Sequence, residues 1–315
     1  MTTIAEPIAH QGGVKGFLRL VVIEHSVFAL PFAYIAALTA MLSTTGIGDV
    51  GWRDLLVVTV AMVAARTFAM AANRVIDREI DARNPRTAQR ELVTGALPLR
   101  TAYYGMGVSL AVFFLAAWWL APICLLLSPV ALAPLVLYPY AKRFTWACHY
   151  VLGFAQAVAP VGAWVAIANG FGRAEVQGVA ESAPFLSAIW LGLAVGTWIA
   201  GFDLIYACQD VESDRREGVH SLPARFGVAA ALRVSIATHV VTLVLLVLFG
   251  VTAGFGVLWW VGVALTAGAL AYEHAIVKPT DLSRVNRAFF TVNGYVGIGL
   301  FAFAVADLVR RGLTP

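Results

Sequence analysis

The chain has 315 residues, 60% of them hydrophobic and 13% charged, with a mean hydropathy of +0.80. Soluble domains carry about 25% charged residues, so a water-soluble globular protein is excluded. The net charge of +4 is modest and gives no reason to expect a nucleic-acid partner. Strand-period alternation is missing, so apolar runs near the ~20 residues that cross a bilayer are expected to be helices.

The first 16 residues are polar, and the apolar run after them lacks a cleavage site, so no cleavable signal peptide is expected. Nine spans are predicted, near 17–42, 53–73, 100–120, 122–139, 149–169, 186–207, 229–250, 254–273 and 287–309. The first carries Glu24 and His25 several residues inside it. Ionisable residues at that depth should face the bundle interior, so His25 is either a satisfied interior histidine or a binder of an acidic aromatic substrate. The second span runs out in Asn73-Arg74-Val75-Ile76-Asp77-Arg78-Glu79-Ile80-Asp81, followed by Arg83, Asn84-Pro85 and Arg86. The fourth breaks at Tyr138-Pro139-Tyr140, just before Lys142-Arg143. The sixth runs out in Asp203, Tyr206, Asp210 and Asp214, followed by Arg215 and Arg216. Trp118-Trp119 and Trp259-Trp260 near span ends are expected in interfacial belts. Trp164, Trp198, Tyr138, Tyr206 and Tyr295 lie within spans and are candidates to line a cavity, where π-faces stabilise a cation. Cys124, Cys148 and Cys208 have no metal-type spacing and are expected to be small buried hydrophobes.

The charges have a side. With the N-terminus inside, 17 of the 22 Lys and Arg residues fall on the inner side, which by the positive-inside rule puts both acidic clusters in the cytoplasm of a multi-pass plasma (inner) membrane protein. Arg310 and Arg311 fall on the other side. At 100° per residue, Asn73, Asp77 and Asp81 lie within an arc of about 80°, and Asp203, Asp210 and Asp214 within about 40°. Two such carboxylate faces turned toward each other make an all-oxygen site for Mg²⁺ and phosphate groups. Cations suited to the remaining phosphate oxygens follow each cluster. Acids crowded at helix ends on one side, with arginines beside them, point to chemistry on a lipid pyrophosphate. A cation-coupled secondary transporter would instead hold its acids near the bilayer midplane, on discontinuous helices. Asp77 and Asp210 are 133 positions apart, as are Asp81 and Asp214. This suggests an internal duplication within one domain of residues 1–315, helices 1–4 against 5–8 with helix 9 added.

Three motifs in this order, Asn73-x₃-Asp77-x₃-Asp81, Tyr138-Pro139-x₂-Lys142-Arg143 and Asp203-x₂-Tyr206-x₃-Asp210-x₃-Asp214, resemble the UbiA family of intramembrane aromatic prenyltransferases over essentially the whole chain. The resemblance implies an all-α membrane protein of about nine transmembrane helices bundled around a central cavity, with helix-loop caps on the cytoplasmic side. It implies that Asp77, Asp81, Asp210 and Asp214 hold Mg²⁺, that Asn73, Lys142 and Arg143 with Arg83 or Arg86 bind the pyrophosphate, and that Asp203 and Tyr206 stand at the reaction centre. The implied substrates are a polyprenyl pyrophosphate and an aromatic hydroxy acid, 4-hydroxybenzoate or a dihydroxynaphthoate, in quinone biosynthesis within the lipid bilayer. No obligate protein partner is implied. Haem or chlorophyll-type acceptors belong to the same fold. Two departures stand out. Arg74 occupies a position where the family often has Asp, and Glu24-His25-Ser26 replaces an Asp-Arg-Pro stretch. Both resemble a bacterial subgroup many of whose members serve the futalosine route to menaquinone.

Overall fold

The computed structural model describes residues 16–17, 20, 29–45, 50–168 and 182–312, so Glu24 and His25 lie outside the described residues. Among these residues every regular element is helical, with one isolated bridge between Lys278 and Asp281. The physical reason is the solvent: long apolar runs beside lipid must satisfy their own backbone N–H and C=O groups. In chain order the helices are α1 (Leu30–Thr45), α2 (Trp52–Ile76), the short α3 (Arg78–Arg83) and α4 (Glu91–Thr94), α5 (Leu99–Leu120), α6 (Pro122–Ala141), α7 (Cys148–Ala168), α8 (Ser182–Ala207), the short α9 (Val211–Glu217) and α10 (Leu222–Phe226), α11 (Val228–Thr252), α12 (Val257–Ile276) and α13 (Asn293–Arg310). Against an expectation of nine spans, seven helices among the described residues are long and apolar enough to cross a membrane. Leu30–Ser43 is apolar but shorter, and α12 has 20 residues.

α8 packs between α7 and α11, α7 reaches α1 and α6, α2 reaches α5 and α6, and α13 bridges α12 to α1. The tightest approach is between α7 and α8. A Cβ on Gly153 would run into the carbonyl oxygen of Gly196, and one on Gly192 would lie 2.7 Å from the carbonyl oxygen of Ala157. Small residues four apart on both helices let the backbones meet, the usual solution where lipid offers no hydrophobic drive. Leu115, Leu126 and Val251 are exposed on the outer faces, as an apolar solvent permits.

A π-helical turn, Arg287–Val292, precedes α13. Such a widened turn leaves a carbonyl to be satisfied from elsewhere, and Asn293 does so. Its Nδ2 donates to Ala288 O at 3.1 Å and to Glu273 Oε1 at 2.9 Å, while its Oδ1 accepts from Trp198 Nε1 at 2.7 Å. The turn thus held presents Phe289 to the central cavity and to the ring of Tyr206, 4.2 Å away between centroids.

One expectation about aromatic residues is overturned. Trp259 is fully buried against Phe249 and Phe255 rather than standing in a belt, because Gly250 leaves room for its indole. Tyr295 is 74% exposed and turns away from the cavity. At the end of the bundle away from the acidic clusters, Asp307 accepts from the Gly256 and Leu258 N–H groups at 2.7 and 3.2 Å, and the Arg311 guanidinium lies over Phe255. Arg311 therefore serves the α11–α12 connection.

The α7–α8 approach predicts that Gly153→Ala lowers stability by about 1–3 kcal/mol, the usual cost of overpacking. Gly107→Ala, with nothing within 4 Å of an added Cβ, should be neutral. Thermal unfolding of the two variants in detergent measures the difference, and equal midpoints would refute the close packing.

Candidate active site

Both acidic segments form where a long helix runs out into a short one. α2 ends at Ile76, and Asp77 closes it with φ −92° and ψ 2°, its N–H donating to Asn73 O at 2.9 Å. The chain then enters α3, passes a turn at Asn84-Pro85, and ends α4 at Gly95, whose φ of +77° suits glycine. The second segment repeats the plan. α8 ends at Ala207, a 3₁₀ turn carries Cys208–Asp210, and α9 ends at Gly218 with φ +68°. Ser221 caps α10 by accepting from the Ala224 N–H.

Ion pairs bring the segments together. Arg83 Nη1 meets Glu217 Oε2 at 3.0 Å, and Arg216 Nη2 donates to Arg83 O at 3.0 Å. Arg86 grips Asp210 with two hydrogen bonds, 2.9 Å to Oδ1 and 2.7 Å to Oδ2, and donates to the Tyr206 hydroxyl at 3.2 Å. Asn84 Nδ2 adds a bond to Asp210 Oδ1 at 3.2 Å. Lys142 Nζ donates to Asp77 Oδ2. Arg143 donates to Ile76 O at 2.6 Å and stands 3.9 Å from Asp77 Oδ1. Arg90 Nη1 bonds Asp81 Oδ2 at 2.5 Å. Asp214 Oδ2 accepts from Ser221 Oγ at 2.7 Å.

Beneath this charged rim lies a cavity of about 450 Å³ bounded by α1, α2 and α5–α8. Its wall is almost wholly apolar; the polar side chains on it are Arg66, Gln156 and Asp203. Arg66 Nε is buried with no hydrogen-bond partner among the described residues. Seven residues of α2 separate Arg66 from Asn73, about 10 Å at 1.5 Å per residue. Asp203 Oδ2 is bonded to His149 Nδ1 at 2.7 Å.

The candidate residues from the sequence therefore fall into three groups. Asp77, Asp81, Asp210, Asp214, Lys142, Arg143 and Arg86 share the rim, with half-buried Asn73 at the end of α2. Asp203 and Tyr206 stand between rim and cavity. Arg83 is turned aside to Glu217 and is largely exposed, and His25 lies outside the described residues. The cavity aromatics are Phe113, Phe185, Phe202 and Phe289 rather than Trp164 and Trp198, which are buried in the helix packing.

Two residues escaped the sequence reading. Arg90, in a connection already rich in arginine, looks like any inside-facing positive charge. His149 begins an apolar span, and its one signal is that it does so on the side where the acids gather.

The rim fits a divalent cation shared with a phosphate. Among the described residues no three His, Cys, Asp or Glu side chains converge to hold a metal unaided. Mg²⁺, however, commonly takes one or two carboxylates and completes its shell with water and phosphate oxygens. Asp77 Oδ1 is buried and has no hydrogen-bond partner among the described residues, a lone-pair donor of the kind such an ion needs.

Burial drives the Asp77 carboxyl above its ordinary 3.8, with the Lys142 ammonium opposing the rise. A carboxyl raised in the folded state holds its proton across a window that opens at 3.8, and stability falls as pH climbs through that window. Lys142→Met removes the opposing charge and widens the window. Its melting temperature should therefore fall more steeply than that of the wild type from acid to neutral pH; parallel slopes would sever Lys142 from Asp77.

Comparison with known proteins now has a geometry to meet. The 4-hydroxybenzoate octaprenyltransferase of Burkholderia cenocepacia (strain HI2424) is 30% identical over 269 residues, 83% of this chain and 86% of that one. The enzyme of the same name from Pseudomonas aeruginosa (strain LESB58) is 29% identical over 260 residues, 82% of each chain. The apo structure of a UbiA homolog from Aeropyrum pernix K1 superposes with a TM-score of 0.78 at 34% identity, covering 90% of this chain and 98% of that one. A UbiA homolog from Archaeoglobus fulgidus, solved bound to GPP and Mg²⁺, shares the fold with a TM-score of 0.68 at 19% identity, over 93% and 99% of the two chains. The description of the UbiA prenyltransferase family matches residues 29–295, and the chain belongs to that family.

Proposed function

We propose that this prenyltransferase moves a polyprenyl group from a polyprenyl pyrophosphate to a ring carbon of an aromatic hydroxy acid, 4-hydroxybenzoate or a dihydroxynaphthoate, in the making of a membrane quinone. The observation that carries this reading is the vertical order of charge. A cation-and-carboxylate rim stands above an apolar cavity whose charged lining side chains, among the described residues, are Arg66, with an Nε that has no hydrogen-bond partner there, and Asp203.

Each layer suits one part of the reaction. The pyrophosphate lies at the rim against Lys142, Arg143 and Arg86, where charge-assisted hydrogen bonds are strongest. Asp77, Asp81, Asp210 and Asp214 are the residues that would hold Mg²⁺, which neutralises charge on the leaving pyrophosphate when bound. The prenyl chain runs down the apolar wall. A guanidinium buried in that wall without a partner is costly unless an anion joins it, and the acceptor carboxylate is such an anion, planar and bidentate. As the allylic C–O bond opens, its electron pair leaves with the pyrophosphate. The ring carbon beside the phenolic oxygen forms the new C–C bond while Asp203 takes the hydroxyl proton as charge develops. The ring hydrogen then leaves as a proton to the released pyrophosphate, and Asp203 returns its proton to the phenolic oxygen as aromaticity is restored. The faces of Tyr206 and Phe289 shelter the cation meanwhile. The excess of Lys and Arg on the rim side supports a cytoplasmic site in the plasma membrane.

Membranes carrying the protein, given Mg²⁺ and a long-chain polyprenyl pyrophosphate, should prenylate one of the two acids; no product from either would refute the proposal. Asp210→Ala should nearly abolish turnover while the protein stays in the membrane. Arg66→Leu should lower kcat/KM for the acid about 10–100-fold, as loss of a hydrogen bond to a charged group does. It should leave the KM for the pyrophosphate unchanged, and an equal loss for a phenol lacking the carboxylate would refute the assignment of Arg66.

A further inference from the structure

We infer that His149 is a positioning residue that orients the Asp203 carboxylate at the cavity wall, from a seat made by the cytoplasmic-side cap; the inference rests on the role of Asp203 proposed above. His149 is buried at the mouth of α7, and both ring nitrogens are engaged. The Leu222 N–H donates to Nε2 at 3.4 Å. A ring nitrogen that accepts carries no proton, so the imidazole proton sits on Nδ1, where it is given to Asp203 Oδ2 at 2.7 Å. That bond fixes the direction of the carboxylate, and an acceptor's hydroxyl proton can be taken only by a carboxylate oxygen aimed at it.

What fixes the tautomer is outside the cavity. Leu222 opens α10, and the two residues before it are tied to the rim. The His220 N–H donates to Lys142 O at 2.6 Å, and the Ser221 hydroxyl donates to Asp214 Oδ2 at 2.7 Å. The Cys148 thiol, next to His149, donates to His220 O at 3.4 Å. Three consecutive residues thus touch the lysine of the rim, an acid of the rim, and the histidine that governs Asp203. Seating the cap and arming Asp203 are one event.

The test separates positioning from mere packing. His149→Leu should lower kcat for prenyl transfer about 10–100-fold, the effect of losing a charge-assisted hydrogen bond. Its KM for the polyprenyl pyrophosphate should stay unchanged. His149→Asn, whose amide N–H takes the place of Nδ1–H, should recover most of the rate, and His149→Gln, which places its amide at Nε2, should recover less. Infrared spectra supply a readout independent of turnover: a shifted carboxylate stretching band, from an Asp203 that has lost its hydrogen bond, should appear in His149→Leu and vanish in His149→Leu with Asp203→Asn. A wild-type kcat in His149→Leu would overturn the inference. So would a slow variant that shows no such band, or one that His149→Asn rescues no better than His149→Gln. If the Leu variant does not fold, the Asn and Gln pair decides the matter alone. Failure of the wild type to prenylate either acid would sink the functional reading, and the infrared arm would still decide the part played by His149.

Discussion

A carboxylate at the edge of a bilayer keeps its charge only if a cation shares it, and Asp77 is where this chain meets that constraint most sharply. It is 1% exposed, has Lys142 on one oxygen, and has Arg143 3.9 Å from the other, which accepts no hydrogen bond among the described residues. The rest of the rim obeys the same rule. Arg90 answers Asp81, Arg86 answers Asp210, and Ser221 with its hydroxyl answers Asp214. Lys142 and Arg86 reach their acids from other segments, so the Arg86–Asp210 pair is also a stitch between acidic segments 133 positions apart, whereas Arg90 and Ser221 serve acids of their own segments. Satisfying charge beside lipid and joining the two acidic segments at the rim are therefore linked in folding.

Below the rim, small side chains and one irregular turn set the geometry. Gly153 and Gly196 let α7 and α8 touch, which brings His149 on one helix to Asp203 on the other. Asn293, held between Trp198 and Glu273, satisfies the π-helical turn whose Phe289 covers Tyr206. The face of α8 that carries Asp203 and Tyr206 is thus braced from both sides: α7 grips it on the acid, and α13 on the aromatic wall. Neither brace needs an exposed polar group, which would be expensive in hydrocarbon.

Much of this was legible before any coordinates. Composition alone requires helices, because a backbone in lipid has no other way to satisfy itself. The i, i+4 spacing of Asp77 with Asp81 and of Asp210 with Asp214 places each pair near one helix face, because helical periodicity is a local property. Lysine and arginine counts give a preferred side for the same reason: they depend on the chain and the membrane, not on which helix lies beside which. Even Arg66 could be seen as a charge within a span.

What the sequence by itself could not decide was partnership. Arg86 and Arg83 both follow the first acidic cluster, yet one grips Asp210 and the other turns to Glu217; only the packing of α3 against α9 separates them. Trp259 and Trp118 both sit near span ends, yet Trp259 is buried and Trp118 is 62% exposed, a difference made by the room beside Gly250. His149 stands 54 positions before Asp203 and has no periodic relation to it. Its place in the site arises from two glycines that allow two helices to meet and from a cap segment that folds back to donate one N–H. Periodicity and hydropathy act along the chain, whereas ion pairs, tautomers and close approaches act across it, and those only the tertiary structure could decide.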